Sequence, residues 1–594
     1  MGYHRVGGPA SKRAFYAVIR QDDLKGRFPL ATALRACRQH FMAAGLFSAL
    51  LNILYLAPTL YMLQVYDRVV STRGAGTLAF LTIIFVIAVV TLSLLDYART
   101  ILLARASVRL DRLLAGQIIA ALISQVKRNK TAQVLREFDT MRVTMTSIGV
   151  LAVFDAPWTP IYIAICFIIH PALGVLALTS SVILLSLAFL NERATKRPIE
   201  RATEAGARSY TSIDFSVHGA GVLRALGMRT DMIRRHLHER GQSTHLSSES
   251  TMVGARFTSL TKSLRLLIQS LSLGLGAYLA IEQKISAGSI FAASLLVTRA
   301  LAPIEQIVGA WRSGIQARVA YKSLTELFDD APIAQVHTHL PAPKGRIELE
   351  KVYILSPGGE RPLVSDVSLT IEVGETIGVV GPSGAGKSTL VRAIGGAVQA
   401  DSGSIRFDGA DAKDWNSEQL ARYVGYMPQD PNLFRGTVKE NISRFVIATD
   451  EQEQEEIDAE VIRAAQLVGT HEVVLRLPNG YDTMLGNGGT GLSAGQAQRV
   501  ALARSVYGSP AVVVMDEPNA HLDTEGEADL LSAIYELKCR GVTVIVVAHR
   551  TGVLAAVDRL MVVRDGRISL FGPRDEVVQR LNAPTPPRAV QSVS

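Results

Sequence analysis

Nine residues, Gly381-Pro-Ser-Gly-Ala-Gly-Lys-Ser-Thr389, limit what this chain can fold into more than any other stretch. They fit G-x-x-x-x-G-K-[ST], the pattern of a loop that cradles phosphates. Thr376–Val380 before them is a short apolar run that reads as a buried strand, and Leu390–Ile394 after them reads as the first turns of a helix. Gly381, Gly384 and Gly386 let the backbone bend until its N–H groups converge on phosphate oxygens, and the helix N-terminus adds partial positive charge. Pro382, Ser383, Ala385 and Thr389 complete the nucleotide-binding loop. Lys387 reaches the β- and γ-phosphates, and the Ser388 hydroxyl suits Mg²⁺. The competing reading, a glycine-rich turn with a chance lysine, does not explain why every fixed position and both flanks match.

The loop belongs to a half of the chain with α/β texture. From about Lys344, short β-type runs alternate with glycines and charged turns, and Arg346–Val352 and Val367–Ile371 alternate as half-buried strands do. Val512-Val-Val-Met-Asp-Glu517 closes an apolar strand with two carboxylates. Asp516 suits Mg²⁺, and Glu517 suits a base that orients and deprotonates water. A carboxylate pair ending a strand is also ordinary turn chemistry; the phosphate loop in the same chain weighs for catalysis. A further strand, Val542–Ala548, ends at His549, placed to contact a γ-phosphate. Gln429 follows the run Val424–Met427. Leu492-Ser-Ala-Gly-Gln496 precedes the helix-like Ala497–Arg504. The tail from Leu581, with Pro584, Pro586 and Pro587, reads as disordered.

The first half is different in kind. Residues 1–40 carry eight Lys/Arg and two Asp and read as a solvated basic lead. Phe41–Leu63 follows, 23 residues without a charge, enough to cross a bilayer as a helix. Gly74–Leu95, Ile148–Ile169 and Ala172–Leu190 form three more spans. Leu266–Ile281 and Ile285–Thr298 form a shorter last pair, which buried helices of a soluble domain would also explain. The links alternate short and long. The long ones, Arg99–Arg142 and 191–261, are rich in Lys and Arg, which places them and both termini in the cytoplasm. Polar residues in or beside the spans (Asn52, Asp155, Arg265, Gln269, Arg299, Glu305) are expensive facing lipid and are expected along a water-filled path or at the interface. A short helix near Phe215–Met228 is expected to dock on the phosphate-loop domain.

With 594 residues the chain is too long for one domain. We read 1–40 as an N-terminal cytoplasmic segment, 41–330 as an all-α six-span membrane domain, 345–580 as an α/β P-loop domain and 581–594 as the tail. Three scattered cysteines, Cys37, Cys166 and Cys539, show neither metal spacing nor a disulfide framework. The net charge of +9 needs no nucleic acid as partner, because membrane proteins concentrate Lys and Arg on their cytoplasmic side.

In order, Gly381–Thr389, Gln429, Leu492–Gln496, Val512–Glu517, Leu522-Asp523 and His549 resemble the phosphate loop, Q-loop, signature, Walker B, D-loop and H-loop of the ATP-binding cassette family. The six preceding spans resemble its type I exporter arrangement. The resemblance implies ATP and Mg²⁺ as ligands; Ser388, Gln429 and Asp516 around the metal; Glu517, Gln429 and His549 as catalytic residues; and a homodimer. In that dimer Ser493, Gly495 and Gln496 of one chain complete the site holding the other chain's Lys387. Tyr61–Arg68, Phe154–Pro160, Leu475–Asp482 and Asp516–Asn519 are similar to type I secretion ATPases of the PrtD type. That likeness implies ATP-driven export of polypeptides across a bacterial inner membrane, with the ATPase domain cytoplasmic. It also implies a periplasmic adaptor (membrane-fusion protein) and an outer-membrane channel as partners, and a secreted polypeptide with a C-terminal signal as cargo. A lipid or drug exporter of the same fold is the alternative. The first span starts near residue 41, which leaves no room before it for the peptidase-like domain of bacteriocin-processing relatives. Three departures stand out: Ala494 where the signature commonly has glycine, Asn519–Asp523 in the D-loop, and Leu355-Ser-Pro357 where many cassettes stack an aromatic on adenine.

Overall fold

Long apolar helices and glycine-punctuated strands sort the chain into two units, 1–334 and 335–594. The computed structural model describes residues 29–124, 133–330, 340–356, 359, 361–548 and 551–582.

The N-terminal unit is helical: α1 Pro29–Ala36, α2 Arg38–Leu54, α3 Ala57–Gln64, α4 Ala75–Ile123, α5 Gln133–Thr144, α6 Ile148–Asp155, α7 Thr159–Ile169, α8 Pro171–His218, α9 Ala220–Ala225, α10 Arg229–Ile281, α11 Ala287–Gly309 and α12 Trp311–Asp330. Six stretches among the described residues are long and apolar enough to cross a membrane: Arg38–Thr72, Ala75–Ile123, Ile148–Ile169, Pro171–Val217, Arg229–Ile281 and Ala287–Gly309. Pro58, Pro160 and Pro171 fall in the first turns of α3, α7 and α8, while Pro198 and Pro303 lie inside α8 and α11. The basic links are largely helix. At about 1.5 Å per residue, the 49 residues of α4 and 53 of α10 run roughly 75–80 Å, far beyond a hydrocarbon core of about 30 Å. The first charges therefore mark where these helices leave the apolar slab, and the helices continue.

Three expectations are corrected here. Part of the basic lead is packed: Leu30, Ala33 and Cys37 are buried, against Leu110 and Leu114 of α4, Phe138 of α5 and Leu324 of α12. Their spacing puts them on one helix face, with Arg35 and Arg38 away from it. The last two spans extend past the arginines that bounded them in the sequence, because those arginines have partners inside the bundle. Arg265 forms an ion pair with Glu305, Nε to Oε2 at 2.9 Å, and the Arg299 guanidinium lies 3.9 Å from the centre of the Tyr55 ring. Asn52 and Asp155 face each other instead of a path. Arg99, 4% exposed, donates to Asp155 Oδ1 at 3.0 Å, Ser48 Oγ at 2.8 Å and Asp96 Oδ1 at 2.7 Å. Asn52 Nδ2 donates to Asp155 Oδ1 at 2.8 Å, and the Tyr162 hydroxyl to the Asn52 carbonyl at 2.8 Å. Spans one, two and three are thus joined by a polar cluster in which the Arg99 charge is paired, while Arg99 Nε has no hydrogen-bond partner among the described residues.

The C-terminal unit holds two large sheets and a two-stranded one, in which Gly436–Thr437 pairs with Met484–Leu485. Strands β1 Ile347–Leu355, β2 Pro362–Ile371, β4 Ser402–Phe407 and β5 Ala410–Asp411 form an antiparallel sheet in the order β2-β1-β4-β5. The second sheet takes β3 Thr376–Val380, β6 Val424–Met427, β7 Val512–Asp516, β8 Thr543–Val547, β9 Arg559–Arg564 and β10 Arg567–Pro573, in the order β10-β9-β3-β8-β7-β6. Its first five strands by sequence pair in parallel, and only β10 runs against its neighbour. Alternate residues feed two cores. Ile377, Val379, Val512, Val514, Ile545 and Val547 face the antiparallel sheet, while Val513, Met515, Val544 and Val546 face helices. Burial on both faces is why these strands read as unbroken apolar runs. It also places the C-terminal ends of β3, β8, β7 and β6 side by side, the edge where open parallel sheets bind ligands. Leu581 and Asn582, expected to open a disordered tail, close the helix Arg574–Asn582; residues 583–594 lie outside the described residues.

Candidate active site

The phosphate loop leaves β3 at Gly381 and enters α13, Lys387–Ile394. Two glycines are forced. Gly381 has φ +152°, and a Cβ there would lie 2.1 Å from the Val563 carbonyl; Gly386, φ +96°, would meet the Leu363 carbonyl at 2.4 Å. The loop is thus pressed onto neighbouring strands from behind, while Pro382, Ser383 and Gly384 stay exposed and Ala385 is buried. Lys387 is 6% exposed, and its Nζ donates to the Gly381 and Pro382 carbonyls, both at 2.9 Å. The ammonium is therefore held over the cradle by weak acceptors that an anionic phosphate would outcompete. Thr389 lies two residues further into α13, half-buried.

Beside it, at the end of β7, Asp516 is fully buried. Ser388 Oγ donates to its Oδ1 at 3.0 Å, and its Oδ2 has no partner among the described residues. Burial pushes the Asp516 carboxyl up, against the pull of Ser388, Arg392 and Lys387. An orphaned carboxylate oxygen beside a serine hydroxyl is a set of hard oxygen donors, which fits Mg²⁺. Glu517 turns out of the strand with φ +51°, an uncommon conformation for a non-glycine residue. Gln429, past the end of β6, donates from Nε2 to Glu517 Oε2 at 3.1 Å. Gln429, Lys387, Ser388, Asp516 and Glu517 thus come to one edge of one sheet. His549 lies outside the described residues.

Ser493, Gly495 and Gln496 form a separate group. Ser493 is exposed and caps α14, Ala494–Val506. Its Oγ accepts from the Gln496 N–H at 3.2 Å, and Gln496 Oε1 accepts from the Ser493 N–H at 2.9 Å, a reciprocal capping box. A Cβ at Gly495 would lie 2.9 Å from the His521 carbonyl, so this position packs against the turn after Glu517. Ala494 fits in the first turn without displacing the box. No hydrogen bond joins this group to the phosphate loop among the described residues.

Three residues of α14 that the motifs do not name organise the site. Gln498, fully buried, donates from Nε2 to the Pro518 carbonyl at 2.8 Å and the Glu517 carbonyl at 3.2 Å. Arg499 donates to Asp523 Oδ1 at 2.8 Å and Asp529 Oδ2 at 2.9 Å. With the Gly526 N–H, it holds the Asp523 carboxyl below its ordinary range. Arg504 donates to the Pro431 and Asn432 carbonyls at 2.6 and 3.2 Å, just past Gln429. One helix therefore carries the exposed Ser493 and also grips the segments after Gln429 and Glu517. The only sequence signal was polar residues within a run that buries Val500, Ala501 and Leu502.

Comparison with known proteins adds independent findings. A family model described as ABC transporter matches residues 364–520. Over 562 residues the chain is 40% identical to the type I secretion system ATP-binding protein PrsD of Rhizobium meliloti (strain 1021), an alignment covering 93% of this chain and 95% of that protein. It is 28% identical over 567 residues to the cyclolysin secretion/processing ATP-binding protein CyaB of Bordetella pertussis, covering 93% and 78%. Identity to the toxin RTX-I translocation ATP-binding protein of Actinobacillus pleuropneumoniae is 28% over 556 residues, covering 91% and 76%. Among solved structures, a bacterial Atm1-family ABC exporter with ATP bound shares the fold, with 22% identity and a TM-score of 0.79 over 92% of this chain and 97% of the other.

Proposed function

Because the chain belongs to the type I secretion ATP-binding proteins of the ABC transporter family, we propose that the strand-edge cluster is where it hydrolyses ATP and that the helical unit conducts the cargo. The chain couples ATP hydrolysis to the export of polypeptides. The secretion and toxin-translocation relatives favour that cargo over a lipid or a drug.

The observation that carries the chemistry is the Ser388–Asp516 pair, whose second carboxylate oxygen has no partner among the described residues, beside Lys387 and Glu517. Ser388, Asp516 and Gln429 would hold Mg²⁺, which when bound neutralises phosphate charge. Lys387 leaves the Gly381 and Pro382 carbonyls for the phosphates. Glu517 accepts a proton from the attacking water, and Gln429, already on its carboxylate, orients that water. Ser493, exposed at a helix N-terminus, is suited to meet the γ-phosphate bound by a second copy, so the working unit is a homodimer with two composite sites. The basic helix extensions support a bacterial inner membrane location with the ATPase unit in the cytoplasm. The short α9, set between Gly219 and Gly227 with Val222 and Leu226 exposed, is the segment suited to pass motion between units. A periplasmic adaptor and an outer-membrane channel complete the route.

Secretion tests this reading. Deleting the gene, the adaptor or the channel removes the same polypeptide from the medium, and a C-terminal fragment of that polypeptide changes the ATPase rate of the purified protein. Stimulation by lipid A with no secreted protein lost would replace polypeptide by lipid as cargo.

A further inference from the structure

The N-terminal unit carries a groove that the export chemistry does not use. It is about 560 Å³ and opens at the junction of α1 and α2, against α6. That is within the ~300–1,000 Å³ typical of small-molecule sites. Leu34, Phe41, Gly45 and Phe154 make its wall apolar, and Arg35 and Arg38 line it as well. Both arginines are exposed, and neither has a carboxylate partner within 4.0 Å among the described residues. The opposite face of α1 is occupied: Leu30, Ala33 and Cys37 pack on α4, α5 and α12. The groove therefore lies on the outer flank of the unit. Met42, which also lines the groove, is 62% exposed, and Leu46, one turn on, 63%.

From this we infer that the groove binds one anionic phospholipid of the cytoplasmic leaflet, its phosphate on Arg35 and Arg38 and an acyl chain along Phe41, Gly45 and Phe154. The inference rests on the membrane orientation adopted above. Charge complementarity selects the occupant. Two guanidiniums without a carboxylate partner among the described residues, where an apolar helix meets the membrane surface, attract a phosphodiester in bidentate fashion, and the apolar side chains of the groove suit a chain rather than a soluble anion. Gly45 faces Phe154 across the groove: a Cβ there would lie in ordinary contact, 3.7 Å from that ring, so only a larger side chain fills the space.

The test is lipid retention by the full-length protein extracted in mild detergent and read by native mass spectrometry, after reconstitution with equal amounts of phosphatidylglycerol and phosphatidylcholine. Wild type should retain phosphatidylglycerol preferentially. Arg35→Gln/Arg38→Gln should retain roughly 30-fold less, the loss expected from two basic groups at an anionic surface. Arg35→Lys/Arg38→Lys should keep most of it. Gly45→Leu, which fills the groove and leaves both arginines, should lose it. Equal retention of the two lipids by wild type would overturn the proposal, as would unchanged phosphatidylglycerol in the glutamine variant or in Gly45→Leu. Retention is read without ATP or cargo, so its failure is separable from failure of the export reading.

Discussion

Two buried arginines, one in each unit, do the same thing for different ends. Arg99 lies among membrane spans and holds Asp96 and Asp155; Arg499 lies in the ATPase unit and holds Asp523 and Asp529. Both are under a tenth exposed. Their carboxylates differ. The Asp155 side chain is 13% exposed and also takes Asn52, whereas that of Asp523 is 69% exposed and caps a helix on the turn after Glu517. Where water is absent, the arginine neutralises a charge the fold cannot otherwise keep. Where water is near, it positions a loop. The lesson is that a comparably buried arginine is structural in one place and positional in the other, and the partner's exposure decides which.

Glu517→Gln should have the largest effect and sets the scale for chemistry. It keeps the shape and removes the base, so ATP turnover falls roughly 10²–10⁴-fold while nucleotide binding, measured by equilibrium fluorescence, survives. Wild-type turnover in that variant would remove Glu517 from its role.

Next comes Arg99→Met, which strands Asp155 among apolar helices. Breaking a buried pair in this way costs about 3–5 kcal/mol, read as a lower melting temperature in detergent. Arg99→Met/Asp155→Leu should recover most of the loss, since an apolar replacement of both partners is often neutral. No recovery would mean that the cluster does more than neutralise charge.

Arg499→Met should cost less stability, about 1–3 kcal/mol, because Asp523 is free to rehydrate. It should instead lower ATP turnover with ATP binding unchanged, as the turn after Glu517 loosens. A stability loss equal to that of Arg99→Met would erase the distinction between the two arginines.

The same contrast explains what was legible in the sequence. Gly381, Gly386, Lys387 and Ser388 were readable because close approach of the backbone demands glycine at fixed spacing, so chemistry and local geometry coincide within nine residues. Asp516 and Glu517 were readable as the end of an apolar strand. Arg499, Gln498 and Arg504 were not, because their partners are turns that only the folded sheet brings near. In the membrane unit, span number followed from uncharged length. Span ends did not, because Arg265 and Arg299 gain Glu305 and Tyr55 from other parts of the chain and cease to mark a boundary. The packing of α1 was hidden for a related reason: its apolar face is three residues among arginines, recognisable only once α4, α5 and α12 are beside it.

The central claim is that each hydrolytic site is built from two copies of the chain, Lys387 from one and Ser493 from the other. Co-assembling Lys387→Ala chains with Ser493→Arg chains tests it most directly, because a mixed dimer then has one site with both defects and one with neither. The account predicts ATP turnover in the mixture that neither parent shows alone. A mixture as inactive as its parents, or a parent variant active by itself, would contradict it.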